Sequence, residues 1–164
     1  MSSTRQVVSA TQSTPFIYRL ILLSIEPFLA TAGAIMVSAK PAAYADAMTR
    51  GSIPFAQGNT FIYTQIAGSW LYFAFIEGVV MRMFDDLALW RVLCTGMLLS
   101  DIWYCAGTVQ GVGGLANWAN LASWTNDDWI TMVSTLPMVI VRVLIVLGIG
   151  VKRAEDRASD PKLK

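Results

Sequence analysis

The chain contains no histidine, and this absence excludes several kinds of functional site. Imidazole general bases, histidine-ligated metal ions, haem bound through histidine and Ser-His-Asp triads all need the missing residue. Charged residues are also scarce, at 14% of 164 residues, and the net charge is only +1. Because no basic patch with interleaved aromatic residues is visible, we expect no nucleic-acid partner. We also expect neither a metal ion nor an organic cofactor.

Cysteine is nearly as rare, and the chain has only Cys94 and Cys105. Both fall on one predicted helix, where a separation of eleven residues corresponds to about 16 Å along the axis. A disulfide requires Cα atoms within about 7 Å of each other, so these two cysteines cannot be bridged while the helix is intact. We interpret them as free thiols that pack as small apolar groups.

Apolar residues, in contrast, make up 55% of the sequence, and this share predicts a polytopic membrane protein. Four runs are long enough to cross about 30 Å of hydrocarbon as helices. The predicted spans are Phe16–Ala39, Phe61–Met83, Ala88–Gln110 and Trp129–Val151. The predicted fold class is therefore all-α, a membrane four-helix bundle. A polar segment is expected at residues 1–15, the bundle at 16–151 and a basic, charged tail at 152–164.

The positive charges predict how this bundle is oriented. An even number of spans places both termini on one side, and cytoplasmic loops carry an excess of lysine and arginine. Only Lys40 and Arg50 lie on the opposite side from the termini. Nine basic residues lie on or near the terminal side: Arg5, Arg19, Arg82, Arg91, Lys152, Arg153, Arg157, Lys162 and Lys164. We therefore expect both termini in the cytoplasm, with the endoplasmic reticulum as the default location.

Four ionisable residues lie deep within the predicted spans: Glu26, Glu77, Asp101 and Arg142. A charged group at the bilayer centre costs roughly 2.5–3.5 kcal/mol, so such residues usually face the bundle interior and serve a function. Helix rise places Glu26, Glu77 and Arg142 about 15, 9 and 13 Å into their spans. Either glutamate could therefore pair with Arg142, and a purely structural ion pair is an equally open interpretation. Asp101 is expected in the outer half of its span.

The acids left without a partner have a chemical use. A carboxyl group in hydrocarbon is expected to be neutral, and a neutral buried carboxylic acid can donate a proton. Tyr104 lies three residues after Asp101 on the same helix face, where it could form a hydrogen bond or relay a proton. Pro27 directly follows Glu26, frees the carbonyl of Leu23 from its helical hydrogen bond and predicts a kink beside the acid.

Aromatic residues accompany these acids along the helix faces. Trp70 and Phe73 share a face with Glu77, and their rings could stabilise a carbocation-like transition state. Aromatic residues at helical spacing are more often core filler, so the pattern alone is weak. Together with Trp103, they are the candidate substrate-binding residues.

The connections between the spans carry further predictions. The very short turn in MFDDLALW makes the second and third spans antiparallel neighbours. Its acids, Asp85 and Asp86, are interpreted as helix caps or solvated charges. Asn126 and Asp127 stand where an N-cap of the fourth span would lie. The loop before that span predicts a short helix that covers the bundle. Three tryptophans suited to the membrane interface belong to this region: Trp118, Trp124 and Trp129.

Four stretches carry a family resemblance that covers most of the chain, about Pro15 to Val151. They are FIYRLILLSIEP (Phe16–Pro27), the P-x-x-Y at Pro41–Tyr44, FAFIEGVVMRMFDDLALWRVL (Phe73–Leu93) and LLSDIWY (Leu98–Tyr104). In their order, the chain resembles a family of small fungal four-helix membrane proteins with a domain of unknown function. Some membrane proteins of this general kind look like tailoring enzymes of polyketide and terpenoid pathways. The resemblance thus implies acid-catalysed epoxide opening or cyclisation of an isoprenoid chain.

The sequence as a whole predicts an integral membrane enzyme that acts on a lipophilic small molecule, a polyketide or terpenoid, by acid–base catalysis. The reaction would be epoxide opening or hydrolysis, cyclisation or isomerisation. The candidate catalytic residues are Glu26, Glu77, Asp101, Tyr104 and Arg142.

Two other function classes stay open. A non-catalytic scaffold or lipid-binding subunit would need the acids only for helix association. A proton-coupled transporter is less favoured, because four spans without inverted repeats would need a dimer to form a path. The expected partners are the substrate and membrane lipids, with a homo-oligomer as an open alternative.

Overall fold

A computed structural model describes residues 7–152, so most of the predicted tail and the first six residues lie outside it. Within this range all regular structure is helical, which confirms the all-α prediction. Seven helices follow one another: α1 (Ala10–Ser13), α2 (Phe16–Ala39), α3 (Pro41–Thr49), α4 (Gln57–Met83), α5 (Leu87–Gly111), α6 (Leu115–Ala119) and α7 (Asn126–Leu147). Short 3₁₀ turns form the start of α4 and residues 121–123.

Four of these helices, α2, α4, α5 and α7, are long and apolar enough to cross a membrane. They have 22 to 27 residues, and the mean hydropathy of their most apolar segments is 1.2 to 2.3. The chain is thus all-helical with four membrane-length helices, which suggests a membrane protein. The first span was predicted with the bounds it has, and the third differs by one residue at each end.

The fourth span begins and ends earlier than predicted, because its capping residues were misidentified. Thr125 is the N-cap, and Asn126 and Asp127 are not. Thr125 Oγ1 accepts a hydrogen bond from Asp128 N at 3.2 Å, and Asp128 Oδ2 accepts one from Thr125 N at 2.7 Å. This reciprocal capping box starts α7 at Asn126. Gly148, with φ 74°, adopts the left-handed conformation that ends the helix.

The long helices pack as two pairs, α2 with α4 and α5 with α7. The second and third spans, predicted to be antiparallel neighbours, are joined by the turn at residues 84–86, and Ile76 and Cys94 from the two spans belong to one apolar cluster. Beyond that turn α4 and α5 diverge and leave a groove between them. Gly68 and Gly96 line the two walls of the groove, and a Cβ atom on either would meet no atom within 4 Å. Without side chains there, the walls cannot fill the space.

The turn between α4 and α5 is fixed by a buried tryptophan. Trp90 has no solvent exposure, and its Nε1 donates hydrogen bonds to Met81 O and Phe84 O, both at 3.0 Å. These carbonyls lie at the end of α4, where no further helical turn can satisfy them. Trp90 therefore closes this end of the bundle, close to Leu22 of α2 and Ile145 of α7 in the same apolar cluster.

The helix α1 packs on the same end of the bundle, although residues 1–15 were predicted as a separate polar segment. Ala10 is completely buried, and Ser13 O accepts a hydrogen bond from Lys152 N at 2.9 Å. Asp85 accepts hydrogen bonds from Ser9 Oγ at 2.6 Å and from Thr11 N at 2.7 Å. Burial raises the pKa of Asp85, but these hydrogen bonds outweigh it and hold the pKa below its ordinary value.

The other predicted features of the connections are present in part. Asp86 is the N-cap of α5, and its carboxylate accepts from Ala88 N at 2.9 Å, as interpreted from the sequence. The expected short helix is α6. The tryptophans around it contact one another, with Trp124 ring centroids 4.7 Å from those of both Trp118 and Trp129. Trp124 Nε1 also donates to Trp118 O at 2.7 Å.

Candidate functional site

Both buried glutamates lie at π-helical segments, which the sequence analysis missed. One segment, Ile21–Ile25, ends immediately before Glu26, and the other, Ile76–Val80, contains Glu77. The two segments pack against each other. Gly78 of the second segment lies next to Pro27, which follows the first, and a Cβ atom on Gly78 would lie 3.5 Å from Pro27 Cβ, an ordinary van der Waals distance. Such wide turns are rare in helices and are frequent at functional sites.

Pro27 accounts for the irregular hydrogen bonding of the first segment, Ile21–Ile25. Because Pro27 has no N–H, the carbonyl of Leu23 loses its helical donor, as predicted. Leu23 O instead accepts a hydrogen bond from Arg82 Nη2 at 2.5 Å. The same nitrogen donates to Ser24 Oγ at 3.1 Å. In the sequence analysis Arg82 counted only as a positive charge. Its hydrogen bonds also connect α4 to the π-helical segment of α2.

Arg142 binds all three buried acids at once. Its Nη1 donates to Asp101 Oδ2 at 2.5 Å, and its Nη2 donates to Glu77 Oε1 at 2.9 Å and to Glu26 Oε1. The sequence analysis expected a pair with one glutamate and left two acids unpaired. Each of the four long helices contributes one of these four residues, which we call the Arg142 cluster.

The cluster is buried to different degrees. Arg142 is 1% exposed and Glu77 is completely buried, whereas the side chains of Glu26 and Asp101 are 12% and 13% exposed. Parts of the Glu26 and Asp101 side chains are therefore exposed, although Glu26 Oε2 itself is buried, whereas Arg142 and Glu77 are enclosed.

The charges in the cluster do not balance. One guanidinium faces three carboxyls, so full ionisation would give a net charge of −2 in an apolar interior. The carboxyls of Glu26 and Glu77 also lie within hydrogen-bonding distance of each other. Among residues 7–152, no donor reaches Glu26 Oε2 or Glu77 Oε2. Two carboxyls in such contact attract each other only when they share a proton. The arrangement can thus hold a proton donor next to an ionised carboxylate.

Phe73 is the predicted aromatic residue that contacts the cluster. Its ring centroid lies 5.5 Å from Cζ of Arg142, within the range of a cation–π interaction. Trp70 packs farther along the bundle, against Tyr44 at 5.7 Å and Tyr104 at 6.4 Å between ring centroids. It also covers Gly33, where a Cβ atom would lie only 2.6 Å from the Trp70 ring.

The remaining candidate residues are Tyr104 and Trp103, and neither belongs to the Arg142 cluster. Tyr104 lies within hydrogen-bonding reach of the side chains of Thr135 and Thr131 on α7, and not of its expected partner Asp101 in the described part of the chain. The three-residue spacing puts the two side chains on one face, but neighbouring helices decide where each points. Trp103 is 77% exposed and lies outside the Arg142 cluster.

Cys94 is a neighbour of the cluster that the sequence analysis treated as ordinary packing. Its thiol has no solvent exposure and is within electrostatic range of all four charged residues. Cys105 is exposed. In residues 7–152, no group of three or more cysteine and carboxylate side chains is arranged to hold a metal ion.

The groove between α4 and α5 has a volume of about 630 Å³ and shares Phe73 with the surroundings of the cluster. Phe73 forms part of its wall, and Ile76 and Ser100 in the same wall directly precede Glu77 and Asp101 in the chain. The sequence analysis did not find this groove. The only available signal was the pair of glycines, Gly68 and Gly96, in facing spans.

A second ion pair lies near the opposite end of the bundle. Arg50 Nε donates to Asp128 Oδ2 at 2.9 Å, and Arg50 Nη1 donates to Ser123 Oγ at 3.1 Å. Asp128 is 3% exposed and also belongs to the capping box of α7. The pair therefore ties the end of α3 to the start of α7.

Comparison with known proteins identifies a family without assigning an activity. Residues 11–152 match the family described as a domain of unknown function (DUF7704). No curated protein and no solved structure matches the chain.

Proposed function

We propose that this chain, which belongs to the family with a domain of unknown function (DUF7704), is an integral membrane enzyme that acts on an uncharged lipophilic molecule by acid–base catalysis. The substrate class is a polyketide or terpenoid, and the reaction is epoxide opening, cyclisation or isomerisation. The observation that carries this proposal is the Arg142 cluster, in which three carboxyls meet one guanidinium in a closed interior.

The membrane placement is part of the proposal. Four membrane-length helices present large apolar side chains outward, including Phe28 at 72% and Ile130 at 65% exposure. Such surfaces fit lipid better than water. The excess of basic residues on the terminal side favours cytoplasmic termini, and the hydrogen bond between Lys152 N and Ser13 O supports ends that lie together. The endoplasmic reticulum is the default compartment.

Each acid has a role that follows from its burial and partners. Glu77 is completely buried between Arg142 and Glu26, so it holds the shared proton and does not meet the substrate. Glu26 contacts Glu77 and has a 12% exposed side chain, so we assign it the transfer of that proton to the substrate. Asp101 has a 13% exposed side chain, and its Oδ2 accepts a hydrogen bond from Arg142 Nη1. We therefore assign Glu26 as the acid and Asp101 as the base.

For an epoxide substrate, the step balances within this site. Glu26 gives its proton to the epoxide oxygen as the C–O bond breaks. Water or a hydroxyl of the substrate attacks the carbon and forms the new C–O bond, and Asp101 takes the proton that the nucleophile loses. The proton returns from Asp101 to the glutamate pair through solvent, which restores the starting state. Acid–base groups of this kind typically contribute about 10²–10⁴-fold to a rate.

A non-catalytic role is the second candidate, and one observation favours it. Because each long helix contributes one member of the cluster, Arg142 also acts as a brace across the whole bundle. Buried ionic networks of this kind can specify which helices pack together. A scaffold or lipid-binding subunit would need nothing more from these residues.

Conservative variants separate the two roles. Microsomes from a clean host that express wild type, Asp101→Asn or Glu77→Gln are fed epoxidised polyketides and prenylated phenols, and products are read by mass spectrometry. Asp127→Asn is the matched control, because Asp127 is an exposed acid outside the cluster. We expect a product from wild type and the control and a loss of about 10²-fold or more in the other two. Folded cluster variants with full turnover would contradict the proposal.

A further inference from the structure

The groove between α4 and α5 is open space in the part of the bundle that a bilayer would surround. Its volume of about 630 Å³ lies within the range of roughly 300–1,000 Å³ typical of small-molecule sites. Glycines in membrane helices often permit close helix packing. Here Gly68 and Gly96 do not, because a Cβ atom on either would meet nothing within 4 Å.

We propose that this groove binds the substrate as an extended, uncharged chain that enters sideways from the lipid, with an oxygen function placed at the Arg142 cluster. The ligand class is a neutral isoprenoid or polyketide chain that carries a hydroxyl or epoxide oxygen. The identity of this ligand as a substrate rests on the proposed function, whereas the binding itself can be tested separately.

The lining selects for a neutral ligand. It contains no charged residue, and its polar members are hydroxyls and one amide: Gln65, Ser69, Tyr72 and Ser100. These groups form hydrogen bonds with neutral oxygens. The nearby guanidinium of Arg142 already binds three carboxyls and offers no free charge to an anion. A phosphate or diphosphate group would instead meet an excess of acids, so an anionic lipid is disfavoured.

The lining favours a flexible apolar chain as the occupant. Most of its members are apolar or small, and glycines face the groove from both walls, at Gly68 and Gly96. A hydrocarbon chain can follow such a surface, and the neutral polar side chains are available to its oxygen.

The groove also connects to the reactive groups. Phe73 belongs to its wall and lies 5.5 Å from Cζ of Arg142, so one ring separates a bound chain from the guanidinium. Asp101 directly follows the lining residue Ser100 and has a 13% exposed side chain. A ligand in the groove therefore approaches the cluster from the side of Asp101.

The test is photo-crosslinking of the full-length protein in phosphatidylcholine nanodiscs. Three diazirine probes are compared: farnesol, farnesyl phosphate and phosphatidylcholine. Labelled peptides are mapped by mass spectrometry in wild type, Gly68→Leu, Gly96→Leu and Gly107→Leu. Gly107 is the matched control, because it lies on the same helix as Gly96, also has open space at its Cβ and is outside the groove.

We expect the farnesol probe to label residues 65–76 and 92–100 in wild type. Labelling should fall about tenfold or more in Gly68→Leu and Gly96→Leu, because the new side chain occupies the place of the ligand's carbons. Gly107→Leu should be labelled like wild type. Thermal unfolding of each variant checks that the fold is retained. We expect it to be retained, because a side chain added at either glycine would extend into open space.

Unchanged labelling in both folded groove variants would overturn this proposal, and so would preferential labelling of the groove by farnesyl phosphate or phosphatidylcholine. The enzyme proposal fails separately. Groove labelling by farnesol in a protein without turnover would support the groove and contradict the enzyme. Turnover without groove labelling would overturn the groove and leave the enzyme.

Discussion

Residues 7–152 contain two arginine–carboxylate sites, and they differ in how well their charges balance. Arg50 meets one carboxylate, Asp128, whose Oδ2 also accepts hydrogen bonds from Thr125 N and Oγ1. Arg142 meets three carboxyls, and two of their oxygens have no donor within residues 7–152. Arg50 Nη2 and Arg142 Nε also lack an acceptor within these residues, so the two sites differ in the number of acids and not in unpartnered arginine nitrogens. Acids beyond the one that a single cation can neutralise cost free energy in an interior, so stability alone does not account for the second arrangement.

The comparison separates a structural ion pair from a candidate chemical site. The Arg50–Asp128 pair joins two helix ends, and each of its interactions has a structural purpose. The Arg142 cluster contains more acids than one cation needs, and it lies at two π-helical segments. π-Helical segments and uncompensated acids together are typical of functional sites, because packing alone would favour their removal.

Loss of the central cation should have the largest effect. Arg142→Met leaves three carboxyls in the interior, and we expect a loss of about 3–5 kcal/mol in the free energy of unfolding. The measurement is reversible unfolding in detergent, followed by circular dichroism. Adding Glu26→Gln and Glu77→Gln should recover part of the loss, because it removes two of the unpaired acids. If the triple variant recovers no stability, unpaired acids are not the cause of the loss in Arg142→Met.

The Arg50–Asp128 pair should tolerate replacement of its arginine by methionine better than the Arg142 cluster does. Arg50→Met leaves Asp128 with its two donors from Thr125, so we expect a loss of roughly 1–2 kcal/mol under the same conditions. This variant is also the matched control for Arg142→Met, since both replace a largely buried arginine with methionine. Equal losses at the two sites would remove the distinction between them.

The smallest effect is expected at Asp85, an acid outside both sites that accepts hydrogen bonds from Ser9 and Thr11 at the start of α1. Because its pKa is lower in the folded protein than in the unfolded chain, its stabilising contribution is present above the ordinary value of about 3.9. The contribution is lost as the pH falls through the folded pKa.

The protection factor of residues 10–14, which is the intrinsic amide exchange rate at each pH divided by the measured rate, should therefore fall as the sample is acidified below about pH 4. In Asp85→Asn this protection factor should already be lower at neutral pH and should not change further on acidification. A protection factor in wild type that stays constant across this pH range would show that the Asp85 hydrogen bonds do not hold α1 in place.

The prediction that Pro27 frees the carbonyl of Leu23 shows how much can be inferred from neighbouring residues alone. A proline removes one donor in any context, so the freed carbonyl of Leu23 followed from the sequence. Its acceptance of a hydrogen bond from Arg82 did not, because that contact joins residues 59 positions apart. The capping box at Thr125 could have been found locally, and it was missed because the adjacent Asn126 and Asp127 are equally good caps by residue type.

Hydropathy and helix periodicity by themselves determined the all-α class, the four membrane-length helices and the presence of buried ionisable residues. These properties depend on residues near one another in the chain, where composition and helix rise are sufficient. Only the tertiary structure decided that Arg142 binds all three acids, that Tyr104 turns toward α7 and that α4 and α5 diverge into a groove. The physical reason is that helix rotation and tilt are set by packing between helices, which the spacing within one helix does not specify.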